Sequence, residues 1–581
     1  MHTPAGEVPA FRSGVHIFAV RDGEGSKRQL TFGVSIPWSS EAYRFIAALF
    51  LSVMALIPSL LWAVRDRRVW PWDQAWYGEV SVDLWYVLTR AQSWWYRMMV
   101  EALGLKPPAV VWLGQFFVPF RHVFGSVEAA LLFSILLTQL AVLILIYRIC
   151  TELAPRSRGI GFLGIAAAAG AQHFVGLSHQ MFAEPLQCLS VAWAVLIALR
   201  CGQWPRARIL IHLASASLLG ILAKASTPLY MLIPMAYIAL SLFRSRRQPW
   251  DFRNEWQGSA SSRALIYGFV VAGALGAVWY SKNYAAVLDH ARISSFGEDA
   301  LNYGTRAPLA SKFFLWLGLL WQGFLDPYLG WILGLVILAA GIAVITRRPV
   351  SRRSPMLLAG ILSVAQIAIV VLVSASTDTV ETRYLYPLLP FVTIVIAALC
   401  ATARYRIVQA VVALGCFAQW ATVNLATFES KPVLASQSPW LLPIVSDPTA
   451  HNELSEVVDH TSNPQGYNIV AIEEPWLNEN SAAFFAAKNR LSTGIKSQYT
   501  SVGYAQKDPA AAMKRIEDLS ARFVITLDEP FQSSPNFLNL VSLPVLRELK
   551  ANEDFTPVPF PSHTGILIFE RQNRASASAR R

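Results

Sequence analysis

Along most of the chain before residue 428, apolar residues run in blocks of about 17–22, parted by short polar links. A helix of that length crosses the roughly 30 Å hydrocarbon core of a bilayer, and within it the backbone groups pair internally. The blocks predict a polytopic α-helical membrane protein of about eleven spans. These lie at residues 43–64, 126–147, 160–177, 183–199, 208–222, 228–243, 264–281, 328–346, 356–374, 385–402 and 407–425. A shorter apolar stretch, 313–324, reads as a re-entrant or interfacial helix, because a further span would break the alternation of the links. Residues 65–125 follow the first span and hold Trp70, Trp72, Trp76, Trp85, Trp94, Trp95 and Trp112. Tryptophan favours the headgroup layer, so the segment reads as interfacial helices or as an ordinary aromatic belt.

Past residue 428 the pattern turns polar and mixed. Segments 468–472, 522–527 and 565–570 read as short strands, and 482–489 and 510–519 as helices. Four regions follow: a tail at 1–41, a transmembrane domain at 42–427 with its first outer loop at 65–125, a small α/β domain at 428–572, and an Ala/Ser/Arg-rich tail at 573–581 that reads as disordered. No glycine-rich phosphate loop opens the α/β domain, and it is assigned no catalysis.

Composition agrees: 54% of the 581 residues are hydrophobic and 15% charged, with a mean hydropathy of +0.40. The net charge of +12 suggests nucleic acid until its placement is considered. The arginines cluster at every second link: Arg148/Arg156/Arg158, Arg200/Arg206/Arg208, Arg244/Arg246/Arg247, Arg347/Arg348/Arg352/Arg353 and Arg404/Arg406. These are topology signals. With them in the cytoplasm, the N-terminus is cytoplasmic, and 65–125, 282–312 and the α/β domain are extracytoplasmic. Cys150, Cys188, Cys201, Cys400 and Cys416 lie in or beside apolar blocks without a CxxC pair, which speaks against a disulfide framework or a zinc site.

Candidate chemistry gathers on the predicted outer side. Asp73 sits just after the first span among aromatics. A carboxylate there is costly unless it serves a partner or a reaction; it fits a general base or a helix N-cap. Lys106, beside Pro107-Pro108, fits a phosphate contact or a snorkelling lysine. Glu184 opens the fourth span, after His173 and His179; a shared metal is conceivable, but the spacing matches no standard ligand set. Lys224 is the lone basic residue of its link and fits a phosphate contact. Lys282-Asn283 and Arg383 emerge on the same side. Together these residues describe a cationic pocket with two carboxylates, open to lipid and water.

In their order these segments resemble the GT-C membrane glycosyltransferases, in the branch of protein O-mannosyltransferases, lipid A aminoarabinose transferases and rhizobial galacturonosyltransferases. Asp73-Gln74-Ala75-Trp76-Tyr77 is similar to the branch's Asp-Glu-Ala-x-Tyr motif, and Lys106-Pro107-Pro108 through Trp112 to its Lys-Pro-Pro motif. Glu184-Pro185, the link from Gly220 to Lys224, Lys282-Asn283, and Arg383-Tyr384 with Pro387 and Pro390 follow in register. The resemblance covers roughly residues 43–400. It implies a GT-C-like fold, a polyprenyl-phosphate-linked sugar donor, an envelope glycan, lipid or protein acceptor, and a bacterial inner-membrane location. It implies that Asp73 is the catalytic base, that Lys106, Lys224 and Arg383 hold the carrier phosphate, and that Tyr77, Glu184 and Lys282 complete the substrate site. Gln74 stands where a second acid is usual, and Leu105 where the aminoarabinose transferases carry a metal-binding carboxylate; a divalent metal is left open. Two other readings share the architecture. A lipid-linked oligosaccharide transporter or flippase should show inverted repeats and broken spans, which the sequence does not display. An O-antigen polymerase or ligase usually carries its large outer loop late, between spans.

Overall fold

Among the described residues the apolar blocks form helices, some of them interrupted. In this computed structural model, residues 40–572 are described except 156, 158, 245–259, 346–354, 403–405, 430–438, 464–465 and 534–535. Both predicted tails, apart from residues 40 and 41, lie outside the described residues. So do Arg156, Arg158, Arg246, Arg247, Arg347, Arg348, Arg352, Arg353 and Arg404 of the basic clusters.

Among the described residues, seven helices are long and apolar enough to cross a membrane, or nine if each of two bent pairs is one span. The first bent pair, Ile160–Ala169 with Gln172–Ser178, turns by 63°, and the second, Leu309–Leu325 with Leu329–Leu338, by 104°. The stretch 313–324 falls in the first arm of the second pair. Two further expected spans are shorter helices: Glu184–Arg200, of 17 residues, and Leu232–Arg244, of 13. The Val127–Leu153 and Glu184–Arg200 helices are largely buried at the centre of the bundle. By contrast, α1 (Ser40–Arg65) and the Ala260–Ser295 helix turn Phe50, Met54, Val270 and Val271 outward. An outward apolar band on long helices is the surface that lipid covers, and the chain is an integral membrane protein.

After α1 the chain forms α2 (Trp72–Arg90), α3 (Gln92–Glu101) and α4 (Ala109–Gly114), a helical segment as expected. The C-terminal region holds a five-stranded sheet built from β1 (Tyr467–Val470), β2 (Gln498–Ser501), β3 (Phe523–Leu527), β4 (Phe555–Val558) and β5 (Ile566–Arg571). Their spatial order is β2-β1-β3-β5-β4. The β1 strand runs parallel to β2 and β3, with Ile469 opposite Val524, and β5 runs antiparallel to β3 and β4. The three expected strands are β1, β3 and β5. The other two escaped the pattern because β2 reads Gln-Tyr-Thr-Ser, polar and short, and β4 contains Pro557; both lie at sheet edges, where such residues are tolerated.

This sheet domain docks on α2 through its Glu479–Thr493 helix. The Phe484 ring stacks on Trp70 at 5.2 Å and lies over Gly78. Lys496 bridges Glu79, at 2.6 Å, and Asp83, while Arg490 reaches Asp83 at 3.3 Å. Lys488 pairs with Glu128 at 2.5 Å, at the head of the Val127–Leu153 helix.

Candidate active site

Pro71 precedes α2 with extended backbone and leaves its first turn without a side-chain cap. Asp73 is therefore not the cap that its position allowed. Its carboxylate turns instead to Lys106, whose Nζ donates to Asp73 Oδ1 at 2.6 Å. Leu103 and Gly104, with φ of 63° and 49°, fold the chain back after α3 and deliver Lys106 to that position. Its ammonium also stands 5.5 Å from the Trp76 ring centre and 5.8 Å from that of Tyr77, within cation–π range. Lys106 thus turns inward to Asp73 rather than snorkelling. Trp72, next to Asp73, has a φ of 29°, which is unfavourable for a bulky residue. Its indole N–H is held by Glu473 Oε2 of the sheet domain at 3.2 Å.

Glu184 is the first residue of its helix, where the positive end of the helix dipole favours a carboxylate. Lys224, in extended backbone just past the Arg206–Ala223 helix, donates to Glu184 Oε1 at 2.7 Å. Its ammonium lies 3.9 Å from the Tyr384 ring centre.

Arg383 joins the two pairs. Its Nη2 is 3.5 Å from Asp73 Oδ2, and its Nε is 3.6 Å from Glu184 Oε1 and 3.5 Å from Glu381 Oε2. The guanidinium lies 4.5 Å over the Phe182 ring and 5.2 Å over Trp440. The turn that carries it, Thr382–Leu388, is fastened from three helices. His173 Nε2 bonds Thr382 O at 2.9 Å, the Tyr230 hydroxyl donates to Tyr384 O, and the Tyr386 hydroxyl donates to Gln139 Oε1.

The structure therefore brings Asp73, Lys106, Glu184, Lys224 and Arg383 into one connected network, with Tyr77 one turn beyond Asp73, buried, and edge-on to Phe182 at 6.4 Å. It does not bring in Lys282. The Ala260–Ser295 helix runs unbroken past that residue and turns it to Glu101, at 2.8 Å, at the end of α3. Nor do the histidines approach Glu184: His173 holds Thr382, and His179 stacks on Trp62 at 4.1 Å and meets Ser59 Oγ at 3.1 Å. Among the described residues no three His, Cys, Asp or Glu side chains are grouped to hold a metal.

The expected cationic pocket is corrected by Glu381. With it the network holds three cations, Lys106, Lys224 and Arg383, and three carboxylates, Asp73, Glu184 and Glu381. Sequence reasoning missed Glu381 because an acid two residues before an arginine reads as a local pair. Of the aromatic walls, Phe182 and Tyr384 carried no signal beyond lying beside candidate residues, and Trp440 lies far from them along the chain. Burial raises the Asp73 carboxyl, but the charges of Lys106 and Arg383 and their hydrogen bonds outweigh it and hold Asp73 well below the usual carboxylate range. Burial, then Asp73 and Glu184, push the Tyr77 phenol up, so it stays protonated and able to donate. The result is an ionised carboxylate and three cations, aromatic-walled, at the end of the bundle that α2 shares with the sheet domain.

No known family profile matches the sequence, and no curated protein matches it. Solved structures do. ArnT from Cupriavidus metallidurans bound to undecaprenyl phosphate superposes with a TM-score of 0.54 at 14% identity, covering 91% of this chain and 98% of that one. The same protein in the apo state gives 0.52 at 13% identity over the same shares. At such identity the likeness speaks for the backbone alone, and it speaks for nearly all of it: the chain has the GT-C fold of membrane glycosyltransferases.

Proposed function

We propose that this protein transfers a sugar from a polyprenyl-phosphate carrier to an acceptor glycan, lipid or protein at the extracytoplasmic face of a bacterial inner membrane. The observation that carries the reading is the ionised Asp73 carboxylate held by Lys106 at 2.6 Å and facing Arg383 at 3.5 Å. The fold supports it, since ArnT of the same architecture is solved with undecaprenyl phosphate bound. The topology follows the arginine clusters, with the N-terminus cytoplasmic and the sheet domain outside.

The proposed reaction is a direct displacement. The donor's phosphodiester lies against Lys106, Lys224 and Arg383, and its lipid tail leaves sideways into the bilayer. As the bond from the anomeric carbon to the phosphate oxygen breaks, negative charge grows on the phosphate. Cations already fixed in place stabilise that charge without reorganising, and more strongly where water is excluded. The acceptor oxygen or nitrogen bonds to the anomeric carbon from the opposite face, inverting it, and its proton passes to Asp73. In the empty site Asp73 is too acidic to be a strong base. Once the phosphate engages Lys106 and Arg383, the carboxylate loses counter-charge and its basicity rises toward what proton abstraction needs. Tyr77 and Glu184 complete the site, the second by orienting Lys224.

A deletion strain, its complement and an Asp73→Asn complement test the reading through their lipid-linked sugars and envelope glycans. The expected result is a missing glycan that wild type restores and Asp73→Asn does not, with the lipid-linked donor accumulating. Removing a general base typically costs about 10²–10⁴ in rate. Full restoration by a normally inserted Asp73→Asn protein would overturn the assignment.

A further inference from the structure

The network's charge balance constrains how a phosphate enters it. In the empty site the cations and carboxylates match three to three. A polyprenyl-phosphate sugar is a phosphodiester with one negative charge, and adding it to a matched set leaves one anion in excess in a poorly solvated place. One carboxylate has to leave its cation. Which one is decided by how each is held.

Asp73 and Glu184 accept hydrogen bonds from lysines at 2.6 and 2.7 Å. Glu184 is also fixed at a helix start, with its side chain only 3% exposed. Glu381 differs from both in its pairing. Its contact with Arg383 is a long 3.5 Å, and among the described residues no hydrogen bond reaches its carboxylate. It stands on the connection between the Pro355–Ala375 helix and the Thr382–Leu388 turn, not on a helix. Burial pushes its carboxyl up, against the pull of Arg383 and Lys224, with Glu184 and Asp73 adding to the rise; the Tyr303 and Tyr384 phenols also face it. Of the three carboxylates, Glu381 is the one whose cost of desolvation is least offset by partners.

Resting on the transferase reading, we propose that Glu381 is an internal counter-anion of the phosphate site: it neutralises Arg383 while the site is empty, yields that arginine to the donor's phosphate, and by returning helps to expel the polyprenyl phosphate product. The exchange is one for one. Glu381 swings out by rotation of its side chain, the phosphodiester takes its place, and Asp73 and Glu184 with the phosphate again match three cations. After transfer the carrier is a monoester, whose second ionisation lies near pH 6, so at neutral pH it carries close to two charges. Three fixed cations alone would retain such a product; a competing carboxylate attached to the same turn as Arg383 keeps its release fast. Glu381 is a positioning residue here and touches no reacting atom.

The test is equilibrium binding of undecaprenyl phosphate to the full-length protein in nanodiscs, for wild type, Glu381→Gln and Glu381→Ser. Removal of an internal competitor tightens binding, so both variants are expected to bind at least about tenfold more tightly, whereas loss of an ordinary structural contact weakens binding or leaves it unchanged. If one variant does not fold, the other decides. Wild-type binding with no tightening in a folded variant overturns the counter-anion role alone. Failure of wild type to bind undecaprenyl phosphate overturns the phosphate site itself, and with it the transferase reading.

Discussion

Helix α2 carries two sets of ion pairs that look alike and are held differently. At its start Asp73 meets Lys106 and Arg383; farther along, Glu79 and Asp83 meet Lys496 and Arg490 of the sheet domain. The nearest nitrogen–oxygen distance is 2.6 Å both for Asp73–Lys106 and for Glu79–Lys496. The surroundings separate them. The second set lies at the contact between α2 and the Glu479–Thr493 helix, where the Phe484 ring also packs on Trp70 and against Gly78, so domain packing holds it in place. The first set opens at the end of the bundle, and its central Arg383 is shared among three carboxylates at 3.5–3.6 Å, none close. Locked pairs join domains; shared and loosely held ones are built to exchange partners. On this account the sheet domain clamps α2 so that Asp73 is presented at a fixed place.

The comparison predicts that damage to the two regions separates cleanly. The largest effect is on turnover: Asp73→Asn should lower transfer by about 10²–10⁴, while the thermal midpoint of the purified protein changes little, because the near-isosteric amide oxygen still accepts the hydrogen bond from Lys106. A large drop in midpoint would make Asp73 a structural residue. Next, Gly78→Val attacks the clamp. A Cβ at Gly78 would sit 2.8 Å from the Phe484 ring, and crowding of that kind costs about 1–3 kcal/mol. The midpoint should fall, undecaprenyl phosphate affinity below the transition should persist, and Gly78→Val with Phe484→Ala should cost less than the two changes summed, because they meet at one contact. Unchanged stability would mean that the sheet domain does not clamp α2.

The smallest effect is on pH dependence. Burial, then the charge of Glu479, raises the Glu473 carboxyl to about 8, against the hydrogen bond from Trp72. A carboxyl raised above its unfolded value of 4.5 favours folding fully below that value, and the contribution is lost as pH rises through about 8. The midpoint should therefore decline between about pH 5 and 9, and Glu473→Gln should flatten the decline. An equal decline in the variant would place the titrating group elsewhere.

Much of this was legible in the sequence, for physical reasons. Membrane spans announce themselves because lipid demands long apolar runs, and the strands at β1, β3 and β5 because buried Val, Ile and Phe mark them. The 63° bend was not legible, since apolar composition does not change where a buried helix breaks, whereas the 104° bend falls just after the stretch 313–324 that the alternation of links had set apart as re-entrant or interfacial. Within the site, Asp73, Lys106, Lys224 and Arg383 stood out because charge at membrane level is rare. Lys282 stood out for the same reason and proved to face Glu101, because sidedness along the chain says nothing of rotation about a helix. Glu381 was hidden by its nearness to Arg383, although its acid turns a cationic pocket into a balanced one.

The central claim is that three cations at the end of the bundle receive an isoprenoid phosphate beside Asp73. An experimental structure of the protein in nanodiscs with undecaprenyl phosphate tests it most directly. The account predicts the phosphate within hydrogen-bonding reach of Arg383 and at least one of Lys106 and Lys224, with Glu381 turned away. Phosphate bound elsewhere, with the pairs Asp73–Lys106, Glu184–Lys224 and Glu381–Arg383 all intact, would contradict it.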